Sequence, residues 1–433
     1  MQSFDSLLGA LQGGGYDGAL SALYAPETPG TVPAAVRARA ERLAAELETR
    51  YAPARSARSG FFSSPGRTEL GGNHTDHQHG RVLCGSVDLD MLCCAAENGK
   101  NVIRVCSEGY APVEIPLGDT APRASEYGQT AALVRGMAAL VADLGYPVAG
   151  FDACLHSGVP AGSGLSSSAA FEILMGVILN RLFCGGALDA TAIAKLGQRT
   201  ENEYFGKPCG LMDQMGAACG GAIAIDFETP AEPKLTRPGY DFSRSGHRLC
   251  IVDTGGSHAD LTADYAAIPE EMGAVAACFG ASVLREVDEA AFRAALPAVR
   301  EKCGDRAVLR ALHFFGEERT VLAETEALQK GDFPAFLRWM RVSGASSAQL
   351  LENTWSPARP RAQALPLALA VGAEVLGEGG AIRVHGGGFA GTIQAFVPEA
   401  LLARFRGAME ALFGQGKCHV LRIRPEGGCM LEP

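Results

Sequence analysis

Residues 158–172 place a glycine-rich loop and a run of serines between a predicted strand and a predicted helix, and they constrain the fold more than any other stretch. The stretch contains three glycines and three consecutive serines: Gly158, Gly162, Gly164, Ser166, Ser167 and Ser168. Apolar residues at 151–155 predict a short strand before the loop. The mostly apolar, proline-free stretch 173–182 predicts a buried helix after it.

This strand–loop–helix arrangement favours phosphate binding. Glycines let the backbone approach a ligand closely, and a helix N-terminus attracts phosphate through its free N–H groups and its dipole. The serine hydroxyls can add hydrogen bonds, and one of them can bind Mg²⁺. The alternative is a flexible loop with a serine N-cap. The stretch is not a Walker A loop, because no Gly-Lys-Ser/Thr follows.

Length and charge exclude several classes of function. A chain of 433 residues predicts two or three domains. The net charge of −10 argues against nucleic acid or an anionic membrane as a bulk partner. No apolar run reaches the roughly 18 residues of a membrane span, and the N-terminus lacks the pattern of a signal peptide. The 13 scattered cysteines lack zinc spacing and indicate reduced thiols. We therefore expect a cytoplasmic protein.

Residues 61–82, FFSSPGRTELGGNHTDHQHGRV, form a second dense stretch. Pro65-Gly66 and Gly71-Gly72 interrupt it, so most of it is predicted to be turn or loop. Eight polar or charged side chains lie within it: Arg67, Glu69, Asn73, His74, Asp76, His77, His79 and Arg81. Such a cluster suits a polyhydroxy ligand, because carboxylates and imidazoles pair with hydroxyl groups. The alternatives are a solvated loop and a metal site, although no further ligand cluster supports a metal.

Asp213 lies in an apolar, glycine-flanked segment, and residues 216–227 after it predict a turn and then a strand. A carboxylate in such surroundings is either catalytic or structural, as a helix cap or ion-pair partner. A third glycine-rich stretch, 384–391, follows a predicted strand and suggests backbone close to a ligand, with a bulged turn as the alternative. The polar, proline-rich residues 228–247 mark a domain boundary. Helices are predicted at 36–51, 131–144, 190–205, 306–328 and 333–340.

These stretches together resemble the GHMP family of sugar and metabolite kinases, and within it the galactokinases. Four segments carry the resemblance, in the order and spacing of the family: 62–82, 158–170, 201–214 and 384–391. They resemble the galactokinase signature, the central phosphate loop, the segment of the catalytic aspartate and the third motif. The resemblance runs from about residue 58 to the end of the chain.

The resemblance implies an α+β fold with two domains and a helical extension at residues 1–57. Residues 58–235 would form a domain like ribosomal protein S5 domain 2, and residues 245–433 a ferredoxin-like domain. ATP and a sugar would bind in the cleft between them. The implied reaction transfers the γ-phosphate of ATP to the anomeric 1-hydroxyl of galactose. The implied partners are therefore small molecules, and the implied assembly is a monomer or a weak homo-oligomer.

The resemblance also implies roles for individual residues. Arg67 and Asp213 match the catalytic pair, and Ser168 and Glu201 match the Mg²⁺ ligands. The positions that would contact the sugar are Asn73, His74, Asp76, Gly210 and Tyr265. The positions that would bind ATP are Gly162, Ser163, Gly164, Leu165, Ser166, Ser167 and Ser168.

Two departures leave the sugar open. Asn73 replaces a glutamate that in galactokinases lies near the 6-hydroxyl, and His77 and Gln78 replace the usual Tyr and Asn. An amide can still bind a hydroxyl, but it removes a charge that would repel a 6-carboxylate. The alternative substrate is therefore galacturonate, which the His77-Gln78 pair also suggests. A non-catalytic sensor of sugar and ATP is the alternative of another class. Such relatives lose a Ser-Ala pair from the central loop, whereas Ser168-Ala169 is present here.

Overall fold

The computed structural model describes residues 1–24, 32–160, 164–255 and 261–433, which contain fourteen α-helices and thirteen strands. The strands are β1 Gln2–Ser3, β2 Arg58–Gly71, β3 Arg81–Glu97, β4 Val102–Ser107, β5 Val113–Pro116, β6 Phe151–Ser157, β7 Ala222–Asp226, β8 Lys234–Thr236, β9 His247–Asp253, β10 Ala381–His385, β11 Thr392–Pro398, β12 Cys418–Leu421 and β13 Cys429–Leu431. The helices are α1 Phe4–Gln12, α2 Asp17–Tyr24, α3 Ala34–Tyr51, α4 Thr130–Asp143, α5 Ser167–Phe183, α6 Ala190–Thr200, α7 Met212–Cys219, α8 Thr262–Ala277, α9 Glu289–Ala294, α10 Leu296–Cys303, α11 Asp305–Gln329, α12 Phe333–Ser346, α13 Ala364–Leu376 and α14 Leu402–Phe413.

Nine strands form the first sheet, whose main order is β1-β2-β3-β6-β4-β5. The long strand β3 pairs twice, with β6 through residues 91–97 and with β7 through residues 81–85. Strand β8 extends the sheet beyond β7, and β13 pairs with β2. The chain end therefore returns to the first sheet, although the sequence places it in the second domain. The rest of the predicted domain division stays a prediction.

The first sheet is buried on both faces because successive side chains of a strand point to opposite sides. On β2, Phe62 lies in the core formed with α4, α5, α6 and α7. The adjacent Phe61 lies in a second core with apolar side chains of α1, α2 and α3. The N-terminal extension is thus a structural layer that covers the second face of the sheet.

The second sheet is antiparallel, with the order β10-β11-β9-β12. Alternation along β9 again divides two cores. Cys250 and Val252 pack with residues of α13 and α14, whereas Leu249 and Ile251 join the main core, to which α12 also contributes. Helices α8 to α11 form a further packed unit around residues such as Phe292.

The structure confirms most predicted helices and corrects two segments. Residues 61–71 are not loop but part of β2, which tolerates Pro65 and its glycines through two register shifts against β3. Residues 216–219 end helix α7 instead of forming a turn. Both segments are buried, and burial in packed layers outweighs the local preference of glycine and proline.

Across the described ranges, no helix combines the length and apolar character that crossing a bilayer requires. All 13 cysteines are free thiols, as the sequence predicts.

A buried carboxylate on the first sheet joins the N-terminal extension to residues near the C-terminal end of the sequence. Asp90 on β3 is 1% exposed, and its oxygens lie 2.7 Å from Arg39 Nη1 and 2.7 Å from the Tyr24 hydroxyl. Ser63 also donates to it, and Arg424 Nη1 lies 3.5 Å away. Burial acts to raise the pKa of Asp90, but the charges of Arg39 and Arg424 and the hydroxyl hydrogen bonds outweigh it and leave the pKa below its ordinary value.

We expect Arg39→Met to destabilise the protein by about 3 kcal/mol, because it leaves a buried carboxylate with a weakened ion pair. The folded pKa of Asp90 lies below its unfolded value of about 3.9. The stabilisation is therefore present above that pH and is lost as the pH falls through the folded pKa. Urea unfolding at several pH values measures both effects.

The matched control is Arg37→Met, because Arg37 lies on the same helix and pairs with Asp17 at the surface. A surface pair contributes about 1 kcal/mol or less. Equal losses for the two variants would contradict a special role for the buried pair.

Candidate active site

Arg67 lies on β2 directly after the first register shift. Its backbone N–H donates to the carbonyl of Leu165 at 3.1 Å, so β2 supports the loop before α5. The arginine is only 5% exposed. A Cβ atom at Gly216 would lie 2.9 Å from the Arg67 Cβ, so the glycine makes room for α7 against β2.

Asp213 lies in the first turn of α7 and faces Arg67. Its Oδ1 is 2.7 Å from Arg67 Nε and 2.6 Å from Nη2, while Oδ2 accepts a hydrogen bond from the Ser166 hydroxyl. Burial acts to raise the pKa of Asp213, but the Arg67 charge and the hydrogen bonds from Ser166 and Arg67 bring it below its ordinary value. The helix N-terminus also favours a negative charge. Asp213 is therefore ionised, and its side chain keeps 30% of its surface exposed.

The loop before α5 bends sharply where it meets Arg67. Gly164 has φ +72°, and its carbonyl accepts from the Arg67 guanidinium. A Cβ atom at Gly164 would lie 2.9 Å from Thr392 Oγ1 and 3.0 Å from His385 Nδ1. Only glycine therefore fits between β2 and the third glycine-rich motif. Ser166 follows with φ +54°, which turns the chain into the helix.

The predicted ATP-binding residues are only partly described. Gly162 and Ser163 lie outside the described residues. Leu165 is fully buried, while Ser167 and Ser168 form the first turn of α5. The N–H groups of a first helical turn lack partners within the helix, so this end of α5 can donate hydrogen bonds to phosphate oxygens.

The predicted Mg²⁺ ligands lie next to each other. The Ser168 hydroxyl is 3.2 Å from Glu201 Oε1, and Lys207 Nζ is 3.1 Å from the same oxygen. Gln214 Nε2 lies 2.9 Å from both Glu201 Oε2 and Glu172 Oε2. Burial, and then the Glu201 charge, raise the pKa of Glu172 well above its ordinary value. A hydroxyl and a carboxylate are oxygen donors of the kind that Mg²⁺ requires.

A cavity of about 260 Å³ adjoins the Arg67–Asp213 pair. Six of the predicted site residues line it: Arg67, Asn73, His74, Asp76, Gly210 and Asp213. Its other walls include Glu69, Lys207, Cys209 and the glycines 386 and 387, for which the sequence indicates no individual role. The cavity is small beside drug-sized pockets of roughly 300–1,000 Å³, and its polar lining suits a small hydroxylated ligand.

Residues 72–80, here called the histidine loop, form one wall of the cavity. His74 has φ +60°, and its Nε2 lies 2.9 Å from the carbonyl oxygen of Gly387. Burial lowers the pKa of His74 to about 4, so the ring is neutral and its Nδ1 can accept a hydrogen bond. A side chain at Gly210 would collide with the Asp76 carboxylate, so this glycine leaves Asp76 open to the cavity.

Tyr265 lies behind the cavity wall. Its hydroxyl donates to the carbonyl of Gly388 at 2.7 Å. A Cβ atom at Gly387 would lie 2.5 Å from the Tyr265 ring. Among the described residues that line the cavity, Tyr265 is absent, so it supports the glycine turn beside the site.

Asn73 is fully buried, and other parts of the protein bind its amide. Its Nδ2 donates to Glu69 Oε1 at 3.0 Å and to the carbonyl of Gly386 at 2.7 Å. Its Oδ1 accepts from Asn353 Nδ2 at 2.7 Å and from the Ser347 hydroxyl at 3.3 Å. The side chain that the sequence places against the sugar is thus also a central part of a structural network.

Glu69 belongs to the polar cluster that the sequence indicates, but the sequence analysis gave it no individual role. It is 3% exposed and lines the cavity, and Arg383 Nη2 lies 2.7 Å from its Oε1. Burial raises the pKa of Glu69 to about 7, although the charges of Arg383 and Arg67 act in the opposite direction. Alternation along a strand places Glu69 on the same face as Arg67. Because 61–71 was predicted as loop, this signal could not be used.

The two remaining departures differ in their position. The Gln78 side chain is buried, and its Oε1 accepts from the N–H of Leu284 at 2.9 Å, which ties the histidine loop to the second half of the chain. His77 lines the cavity with a side chain that is 44% exposed. Of this pair, only His77 is placed to meet a ligand.

Comparisons with known proteins agree with this geometry. The family model described as the GHMP kinases N terminal domain matches residues 131–221. The model described as the galactokinase galactose-binding signature matches residues 48–97. The chain is 31% identical over 372 residues to a galactokinase of Streptomyces coelicolor, which covers 84% of this chain and 91% of that protein.

Solved structures share the fold. A galactokinase of Lactococcus lactis complexed with galactose matches with a TM-score of 0.76 and 23% identity, over 90% of this chain and 99% of that chain. A mevalonate kinase of Methanococcus jannaschii matches with a TM-score of 0.61 and 16% identity, over 84% and 98%. These matches confirm the predicted fold. Together with the identity to the Streptomyces protein, they show that the chain is a sugar kinase that belongs to the galactokinase family of GHMP kinases.

Proposed function

We propose that the chain transfers the γ-phosphoryl group of ATP to the 1-hydroxyl of galactose and releases ADP. The Arg67–Asp213 ion pair carries this proposal, because it lies between the hydroxyl-binding cavity and the loop before α5. Ser166 on that loop donates to the same aspartate. The two halves of the reaction, a sugar and a phosphate, would therefore meet at one ionised carboxylate.

Asp213 would receive the attacking hydroxyl. Two guanidinium nitrogens of Arg67 contact its Oδ1, whereas among the described residues its Oδ2 accepts only from Ser166 and has a further lone pair for a substrate hydroxyl. An ionised carboxylate can accept the hydrogen bond of the hydroxyl and orient its oxygen toward the phosphate. Phosphoryl transfer depends mainly on such positioning and on charge, so a strongly basic group is not required.

Arg67 would act on both reactants. Its guanidinium contacts Asp213 and also the carbonyl of Gly164, so it joins the aspartate to the phosphate loop. The positive charge keeps Asp213 ionised and offsets the negative charge of the transferred phosphoryl group. Because the arginine is almost fully buried, the protein screens its charge less than bulk water would.

Ser168 and Glu201 would hold a Mg²⁺ ion. When bound, the ion neutralises phosphate charge and helps to orient ATP. Lys207 adds a second positive charge at Glu201. In the cavity, the neutral His74 ring and the Asp76 carboxylate would accept sugar hydroxyls, while Tyr265 holds the Gly387–Gly388 turn in place.

The sensor alternative finds no support in this site. The Ser-Ala pair that such relatives lose is present, and Ser168 and Ala169 lie in the first turn of α5. Arg67 and Asp213 are both present and paired. Both residues that we propose for catalysis are therefore present and in contact, which favours an enzyme over a sensor.

Asp213→Asn is expected to reduce kcat for galactose by roughly 10²–10⁴-fold, because an amide cannot accept the hydroxyl proton or carry the charge. ADP release measures the rate, and ³¹P NMR of the product identifies the phosphorylated position. Binding of Mg-ATP should persist, since the ATP-binding loop is unchanged.

The control is Asp189→Asn, which makes the same change at an exposed helix cap of α6. Asparagine caps a helix about as well as aspartate does, so this variant should leave both stability and kcat nearly unchanged. Near-normal kcat in Asp213→Asn, or a wild-type protein that does not convert galactose to its 1-phosphate, would contradict the proposal.

Glu201→Gln should raise the Mg²⁺ concentration needed for half-maximal activity by about tenfold or more, because the ion loses a charged ligand. The matched control is Glu203→Gln, two residues along the chain, whose side chain is 47% exposed and pairs with Arg199. Identical Mg²⁺ activation curves for the two variants would remove Glu201 from the metal site.

A further inference from the structure

We propose that Glu69, rather than residue 73, presents a further carboxylate to the sugar, and that this carboxylate makes the site select a neutral sugar over a sugar acid. The inference rests on the proposed function, because it concerns the acceptor of the same reaction. It assigns a specificity-determining role to a residue for which the sequence indicates none.

Protein groups already fill the hydrogen-bonding capacity of the Asn73 amide. An asparagine amide has two N–H donors and two acceptor positions on its oxygen. Glu69 and the Gly386 carbonyl take the donors, and Asn353 and Ser347 occupy the oxygen. The amide has no capacity left for a sugar hydroxyl. Asn73 is therefore a positioning residue that holds the Glu69 carboxylate.

The Glu69 carboxylate, in contrast, can still accept a hydrogen bond. Its Oε1 accepts from Arg383 and Asn73, but its Oε2 has only the longer contact of 3.3 Å with Asn73. A carboxylate oxygen can accept two hydrogen bonds, so Oε2 has room for a ligand donor. Glu69 lines the cavity, whereas Arg383 anchors it from the protein interior. A sugar hydroxyl is the donor that this acceptor fits.

The charged groups around the cavity disfavour a ligand that carries a carboxylate. Among the described residues that line it, the arginine and lysine side chains are Arg67 and Lys207, and they already pair with Asp213 and Glu201. A carboxylate on the ligand would meet the Glu69 charge without an uncommitted partner among these groups. Like charges at short range in a buried site repel strongly. Replacement of a glutamate by Asn73 thus does not make this cavity neutral, because the carboxylate is supplied four residues earlier.

The test compares galactose with galacturonate at pH 8, above the pKa of about 7 that burial gives Glu69. The two constants to be measured are the KM for galactose and the Ki of galacturonate as a competitor of galactose. In Glu69→Gln, the KM for galactose should rise by about tenfold while the Ki of galacturonate falls, because a charged acceptor is lost. In Asn73→Ala, both constants should change in the same direction, because only the position of Glu69 is disturbed.

Glu69→Gln leaves the buried Arg383 without its ion-pair partner, which can prevent folding. The second variant, Glu69→Gln with Arg383→Met, removes both charges and should show the same divergence of the two constants. Constants that move together in the folded variant, with galactose still phosphorylated by the wild type, would overturn the role of Glu69. A wild type that does not phosphorylate galactose would instead contradict the proposed function.

Discussion

The Arg67–Asp213 ion pair is the interaction on which the site depends. It joins three elements that are far apart in the chain: strand β2, the start of helix α7 and the loop before α5. Arg67 requires the register shift of β2 and the glycine at 216, and Gly164 must come close to the third motif. The register shift in β2 and the positive φ of Gly164 interrupt regular structure. They also bring the Arg67 guanidinium into contact with the loop before α5.

The second half of the chain fixes the cavity as firmly as the first. The backbone of the histidine loop is held by α11, where Glu317 Oε2 accepts from the N–H of Gly72 at 3.0 Å and His313 Nε2 lies 2.8 Å from the Asn73 carbonyl. The glycine turn of the third motif also lines the cavity, through Gly386 and Gly387. The cavity is therefore built and supported by residues from both halves of the chain, and not by the first sheet alone. This explains why a site near residue 70 depends on side chains more than 240 positions later.

Periodicity and the family resemblance were enough to predict strand β6 and helix α5 on either side of the glycine-rich loop, and the pairing of Arg67 with Asp213. They failed for β2, because a strand buried on both faces with two register shifts shows neither clean alternation nor an absence of glycine and proline. They also failed for the Asn73 side chain. Its partners Asn353 and Ser347 are brought to it only by tertiary packing, so its saturation could not be inferred from neighbouring residues. The role of Glu69 emerges only once these contacts are known.

The most direct test of the account is a double-mutant cycle on kcat for galactose with Arg67→Met, Asp213→Asn and the double variant. If the two side chains act as one unit, the double variant should be about as slow as the slower single variant, since either change already disables the pair. Losses that multiply would mean that Arg67 and Asp213 act independently. That result would contradict the claim that their ion pair organises the site.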